Sequence, residues 1–237
     1  MSAPVVFITG ASRGIGAALA ARFHRGGFVV TACARTKLES PHVHLGTECD
    51  VKSADQVKRS IASIVERFGK IDVVINNAGL AGTNVLDPDG DDSFWHEVMG
   101  VNLHGTYYVC KHALPHLPDR RGRIINIASV LGLKGVPDQT AYTAAKHGVI
   151  GFTRALAQLV APRGITVNAI CPGWTRTPMA EGRMRDLGFD EAALARSVPL
   201  GRMLEPEEVA EFAYYLASES AGGITGQALV IDGGAIG

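Results

Sequence analysis

The sequence predicts a doubly wound α/β fold in one domain, with a parallel sheet covered by helices on both faces. Three observations carry this. Short runs rich in Val, Ile and Phe recur along the chain with little polar–apolar alternation, as strands buried on both faces require. Longer segments with helical periodicity lie between them. No linker, repeat or low-complexity tract divides the 237 residues, a length ordinary for one α/β domain.

The strands are read at residues 5–9, 28–34, 73–76, 123–128, 166–171 and 228–231. The first helix, at 15–24, places Ile15, Leu19 and Phe23 on one face, and the second, at 54–68, does the same with Val57, Ile61, Ile64, Val65 and Phe68. Further helices are read at 95–117, 142–160 and 206–216. The last opens Glu205-Pro206-Glu207-Glu208, a first-turn proline followed by acids, which favours a helix start. Strand–helix alternation of this kind builds right-handed βαβ units. Residues 80–93, rich in Gly and Asp, read as a loop. Residues 177–200 have a weak helical pattern beyond Pro172-Gly173 and read as a substrate lid.

Apolar residues make up 46% of the chain and aromatics only 6%, so the core is expected to be aliphatic. Lys and Arg balance Asp and Glu at 23 each, which leaves no basic excess for nucleic acid or an anionic membrane. No apolar run reaches the roughly 18 residues a membrane span needs. The N-terminus lacks the charged and apolar regions of a signal peptide. Cys33, Cys49, Cys110 and Cys171 are widely spaced, without C-x-x-C, and fit free thiols in a reducing cytosol. A cytoplasmic location is therefore expected. His112 and His116 have helical ligand spacing but no third partner. Asp87, Asp89, Asp91 and Asp92 lack the calcium-loop spacing, and His42 and His44 read as solvated. No metal site is predicted.

The first strand runs into Gly10-Ala11-Ser12-Arg13-Gly14-Ile15-Gly16, and a helix follows. Glycines at this turn let the backbone approach a pyrophosphate, and the helix N-terminus offers free N–H groups and a positive dipole end. About twenty residues on, the second strand ends where an acid would read the ribose 2′-hydroxyl of NAD. Here it ends in Ala34-Arg35. Arg35, with Arg13 in the nearby turn, suits a 2′-phosphate, so NADP(H) is the expected cofactor.

Further along stand Asp50-Val51, Asn76-Asn77-Ala78-Gly79, Asn102, Ser129, Tyr142-x-x-x-Lys146 and Pro172-Gly173 with Thr177. With residues 9–16, this ordered set resembles the short-chain dehydrogenase/reductase family over nearly the whole chain. The resemblance implies a Rossmann fold with a sheet of about seven strands, and a catalytic tetrad of Asn102, Ser129, Tyr142 and Lys146. It implies that Asp50 and Val51 meet the adenine. It places Asn77, Ala78 and Gly79 along the cofactor, and the 172–177 stretch with Pro172, Gly173, Thr175 and Thr177 around the nicotinamide. The family carries a longer helix where this chain has residues 36–48, with Pro41 and Gly46, so that helix is expected to be shortened or lost. A homotetramer is also implied.

The tetrad suits interconversion of a ketone and a secondary alcohol. The cofactor carries the hydride, and the protein supplies the proton and holds the oxygen. Tyr142 and Lys146 lie four apart and share a helix face, where an ammonium lowers the pKa of a phenol. Ser129 follows an apolar strand, where ligands bind in open α/β sheets, and its hydroxyl holds the substrate oxygen. By resemblance, Asn102 supports a water that relays protons to Lys146, and Tyr142 and Lys146 also meet the cofactor, Lys146 at the nicotinamide ribose hydroxyls. Taken singly, each residue has an ordinary structural reading; together they specify chemistry.

Within the family the chain looks closest to the 3-oxoacyl-acyl-carrier-protein reductases and the acetoacetyl-CoA or polyketide ketoreductases. A 3-oxoacyl thioester is thus the expected substrate, with an acyl carrier protein or coenzyme A as its carrier. Arg120 and Arg163 stand where such reductases dock an acidic carrier. One alternative is a reductase of a small ketone, cyclic alcohol or sugar, whose pocket Leu131, Leu133, Val136, Trp174 and Met179 would wall. The other is a non-catalytic NADPH-binding module.

Overall fold

The computed structural model describes every residue except Met1, Val85 and Gly237. Seven strands, β1 Val5–Thr9, β2 Val29–Ala34, β3 Leu45–Glu48, β4 Val73–Asn76, β5 Arg123–Ile127, β6 Thr166–Pro172 and β7 Ala228–Ile231, form one parallel sheet. Their order is β3-β2-β1-β4-β5-β6-β7. The chain winds outward from β1 to β3, then returns beside β1 with β4 and winds the other way. That reversal opens a crevice at the C-terminal ends of β1 and β4.

Among the described residues there are eight α-helices, α1 Gly14–Arg25, α2 Ala54–Phe68, α3 Ser93–Met99, α4 Gly105–Ala113, α5 Thr140–Val160, α6 Pro178–Leu187, α7 Glu191–Arg196 and α8 Pro206–Ala217, of which α6 and α7 pack on each other beside the strand ends. Successive residues of β1 point to opposite faces. Val5 and Phe7 pack with residues of α2, α4 and α5, while Val6 and Ile8 pack with α1 and α8. Burial on both faces is why the strands read as unbroken apolar runs. Phe7 and Ile8, adjacent and fully buried, each contribute about 2 kcal/mol by leaving water.

Four expectations need correction. The single helix expected at 95–117 is α3 and α4 joined through a π-helical turn, Gly100–His104, and ending in a 3-10 turn at Leu114–His116. Apolar periodicity does not register one extra residue in a helix. The sheet has a further strand, β3, that no apolar run signals, because Leu45-Gly46-Thr47-Glu48 is a short, half-exposed edge strand. The family helix is indeed absent, and residues 36–44 form an irregular connection into β3. Residues 177–200 hold two capped helices. Thr177 Oγ1 accepts from Ala180 N at 3.2 Å ahead of Pro178, and Asp190 caps α7. Their pattern is weak because Ala180 and Leu194 are the residues they bury. Finally, His42 is half-buried rather than solvated: its ring and that of His44 lie 5.4 and 5.2 Å from the ring of His24.

Among the described residues, no helix is long and apolar enough to cross a membrane, and no three potential metal ligands cluster.

Candidate active site

A cavity of about 940 Å³ runs along the C-terminal ends of the strands. At its floor lies the turn between β1 and α1. Gly14 takes a left-handed φ of 55°, and a Cβ on Gly16 would run into the carbonyl oxygen of Gly10, so the turn tolerates no larger residue at these two positions. Arg13 opens α1 without a side-chain cap, and no acid stands in the first turn. The first amides of α1 therefore remain available to an anion at the cavity floor. Thr9 ties this turn to the next strand: its hydroxyl accepts from the amides of Asn77 and Ala78 at 3.1 and 3.0 Å. Asn77 Nδ2 donates back to the carbonyls of Thr9 and Gly10, both at 3.0 Å.

Gly10, Ser12, Arg13, Gly14, Ile15, Gly16, Arg35, Asp50, Val51, Asn77, Ala78, Gly79, Pro172, Gly173, Thr175 and Thr177 all line this one cavity. The residues expected to hold the cofactor are thus brought together from the C-terminal ends of five strands, β1, β2, β3, β4 and β6. Beside it, Ser12, Arg13, Ala34, Arg35 and Thr36 enclose a smaller pocket of about 230 Å³. Both arginines are exposed, and among the described residues neither has an ion-pair partner. Two unpaired guanidinium groups around a phosphate-sized recess fit a dinucleotide bearing a 2′-phosphate.

At the inner wall β5 ends and Ser129 follows. Its Oγ accepts from Leu131 N at 3.1 Å, capping a 3-10 turn, Val130–Gly132, and fixing the hydroxyl at the cavity wall. Tyr142 stands in the first turn of α5, and Lys146 lies one turn on, its Nζ 5.5 Å from the Tyr142 ring centre. Burial pushes the Tyr142 phenol up to about 12, against a hydrogen bond with Ser129 that lowers it. Burial also pulls the Lys146 ammonium down to about 8. Lys146 Nζ donates to the carbonyl of Ile127 at 2.7 Å, which anchors it under the end of β5. The arrangement presents a protonated phenol and a fixed hydroxyl to one point on the wall, above a buried amine.

Asn102 is placed differently. It is 1% exposed and does not line the cavity. Its Oδ1 accepts from Leu80 N at 2.9 Å, and its Nδ2 donates to the Leu80 carbonyl at 2.7 Å. The π-helical turn pushes Asn102 toward Leu80, behind Gly79. Its carboxamide thus holds the backbone that follows Gly79.

At the outer end, Leu131, Val136, Trp174 and Met179 form apolar walls as expected. Leu133 does not: it lies outside the cavity and is 39% exposed. Asp138 and Arg183 also line this end, within the 130–139 and 174–189 stretches expected to form the pocket, though the sequence singles out neither and does not pair them. They are 45 residues apart, on a loop and a weakly patterned helix, so no local spacing joins them. Arg120 and Arg163 precede β5 and β6, at the N-terminal ends of the strands, opposite the cavity. The Arg163 guanidinium is engaged within the fold, with Asp119 at 2.7 Å and the carbonyls of Leu114 and Leu117 at 3.0 and 2.6 Å.

The family model described as enoyl-(acyl carrier protein) reductase matches residues 10–235. A putative ketoacyl reductase of Streptomyces coelicolor is 39% identical over 251 residues, covering 97% of this chain and 96% of that protein. A 3-oxoacyl-(acyl-carrier-protein) reductase of Haemophilus influenzae is 38% identical over 242 residues, covering 99% and 98%. The crystal structure of an actinorhodin polyketide ketoreductase variant with NADPH superposes with a TM-score of 0.90 at 38% identity, covering 98% of this chain and 97% of that one.

Proposed function

The chain belongs to the short-chain dehydrogenase/reductase family, and on that footing we propose that it is an NADP(H)-dependent reductase of 3-oxoacyl thioesters. The observation that carries the reading is the convergence of Ser129, Tyr142 and Lys146 on the wall of the cavity that also holds the dinucleotide-type turn. NADP(H) is favoured over NAD(H) by the Arg13–Arg35 recess and the absence of an acid at the end of β2. Relatives and structural neighbours with ketoreductase names, one of them crystallised with NADPH, support the same choice.

When bound, the reduced nicotinamide supplies a hydride to the carbonyl carbon. The residues of this chain manage the oxygen. Ser129 Oγ donates to the carbonyl oxygen and holds it as negative charge develops. The Tyr142 phenol, protonated at neutral pH, delivers its proton to that oxygen. Lys146 in its charged form stabilises the resulting phenolate. Leu131, Val136 and Trp174, the apolar walls of the outer end, limit water in the cleft, which strengthens these interactions.

The test is NADPH oxidation followed spectrophotometrically with acetoacetyl-CoA, with NADH and a small cyclic ketone in parallel. Rapid turnover of the thioester with NADPH is the expected result. Turnover of the ketone alone would move the enzyme to the small-carbonyl reductases. NADPH binding without turnover of any carbonyl would leave a binding module.

A further inference from the structure

α6 leaves Thr177 at the cofactor end of the cavity and carries Arg183 across the outer end. There the Arg183 guanidinium pairs with the Asp138 carboxylate and donates to Thr83 Oγ1 at 3.0 Å. The Arg183 side chain is only 12% exposed, and both charged partners line the cavity. Three segments distant in sequence meet at this point: residues 80–84 after Gly79, the loop that precedes α5, and α6.

The first two of these are already joined. Asn84 N donates to the Asp138 carbonyl at 2.9 Å. Asn84 Oδ1 accepts from Ala141 N at 3.1 Å and from Thr140 Oγ1 at 2.6 Å. It thereby satisfies the first turn of α5, the turn that carries Tyr142. α6 is different. Its root is held on its own side of the cleft, through the Thr175–Leu204 bridge and through Arg176 bound to Glu191 and Glu205. Among the described residues, the hydrogen bonds from α6 to the opposite wall come from Arg183.

We propose that Arg183 and Asp138 form a clasp that closes α6 over the bound carbonyl compound and determines how tightly it is held. Arg183 is then a positioning residue for the reaction, acting through α6 and its wall residue Met179. The proposal deepens the reductase reading and rests on it. An ion pair in this half-dry setting is stronger than at an open surface, and either charge left alone is costly. Among the described residues, none of the hydrogen bonds of the clasp goes to Ser129, Tyr142 or Lys146. Loss of the clasp should therefore weaken substrate binding while sparing the chemical step.

The variants are Arg183→Met, Asp138→Asn and the two combined. Each is assayed for KM and kcat on a carbonyl the enzyme reduces, and for amide hydrogen exchange of residues 178–187 with NADPH present. Each single change is expected to raise KM about tenfold with kcat within about twofold, and to speed exchange in α6. The double variant is expected to be no worse than either single one, because both remove the same interaction. Additive losses would overturn the clasp, as would unchanged exchange in α6, or a fall in kcat at constant KM. Hydrogen exchange needs no turnover. A wild-type enzyme that reduces no carbonyl would sink the reductase reading, whereas unaltered α6 exchange in the variants would sink the clasp.

Discussion

The ammonium of Lys146 reaches back 19 residues in sequence to the carbonyl of Ile127, at 2.7 Å, inside a wall where water has little access. Burial holds its pKa near 8, against 10.5 for a free lysine. The site therefore carries a charge that the folded state would rather shed.

Lys146→Met should accordingly stabilise the cofactor-free protein while abolishing turnover. Below about pH 8 the lysine is charged in both states, and the folded state bears the whole cost of burying it. Between 8 and 10.5 the folded state loses its proton first, so wild-type stability rises with pH. The methionine variant should thus be more stable by about 1–3 kcal/mol at pH 7, after loss of the Ile127 hydrogen bond, with the gain vanishing above 10.5. Urea unfolding at a series of pH values reads the difference.

Tyr142→Phe removes the proton donor and leaves the ring in place. Reduction should fall by about a hundred- to ten-thousand-fold. NADPH affinity, followed by fluorescence titration, should change by less than about threefold, since the phenol acts on the carbonyl oxygen. Retained turnover would mean that another group delivers the proton.

Arg35→Asp replaces one wall of the 230 Å³ recess with a like charge for a phosphate. The ratio of kcat/KM for NADPH to that for NADH should drop by about a hundredfold or more. An unchanged ratio would show that the recess does not receive the 2′-phosphate.

Asn102→Ala strips both hydrogen bonds from the Leu80 peptide. The cost should be about 2 kcal/mol of stability, with weaker NADPH binding because Gly79 loses its support. Asn102→Asp keeps an acceptor for the Leu80 amide but buries a charge and sets its second oxygen against the Leu80 carbonyl, so its loss should be larger. Denaturation and NADPH titration of the two variants test this order.

Arg163→Glu should lower stability by about 1–3 kcal/mol, because the guanidinium satisfies the carbonyls of Leu114 and Leu117. Activity on thioester and small ketone should decline together. A selective loss on carrier-bound thioester, with stability intact, would restore a docking role to this arginine.

The residues that meet in the cleft were legible because their pattern is tied to short spacings: a turn of glycines, a Tyr and a Lys one helical turn apart, a Ser at a strand end. The apolar strands were legible because both faces are buried. β3 was not, since an exposed edge strand needs no apolar run. The π-helical turn was hidden because apolar positions on either side of one extra residue still look helical. Asn84 capping α5 and Arg183 meeting Asp138 are products of the tertiary fold, and nothing near either partner in sequence announces the other.

The turn at Gly100–His104 has an evolutionary implication. A π-helical turn amounts to one residue inserted into an α-helix. Deleting a residue there would return the segment to a regular helix and keep the apolar faces of α3 and α4 against the core. What would be lost is the reach of Asn102 to Leu80. The length of this segment is therefore set by the cleft and not by the packing, and a chain shortened by one residue here could still fold after its catalytic wall had gone slack.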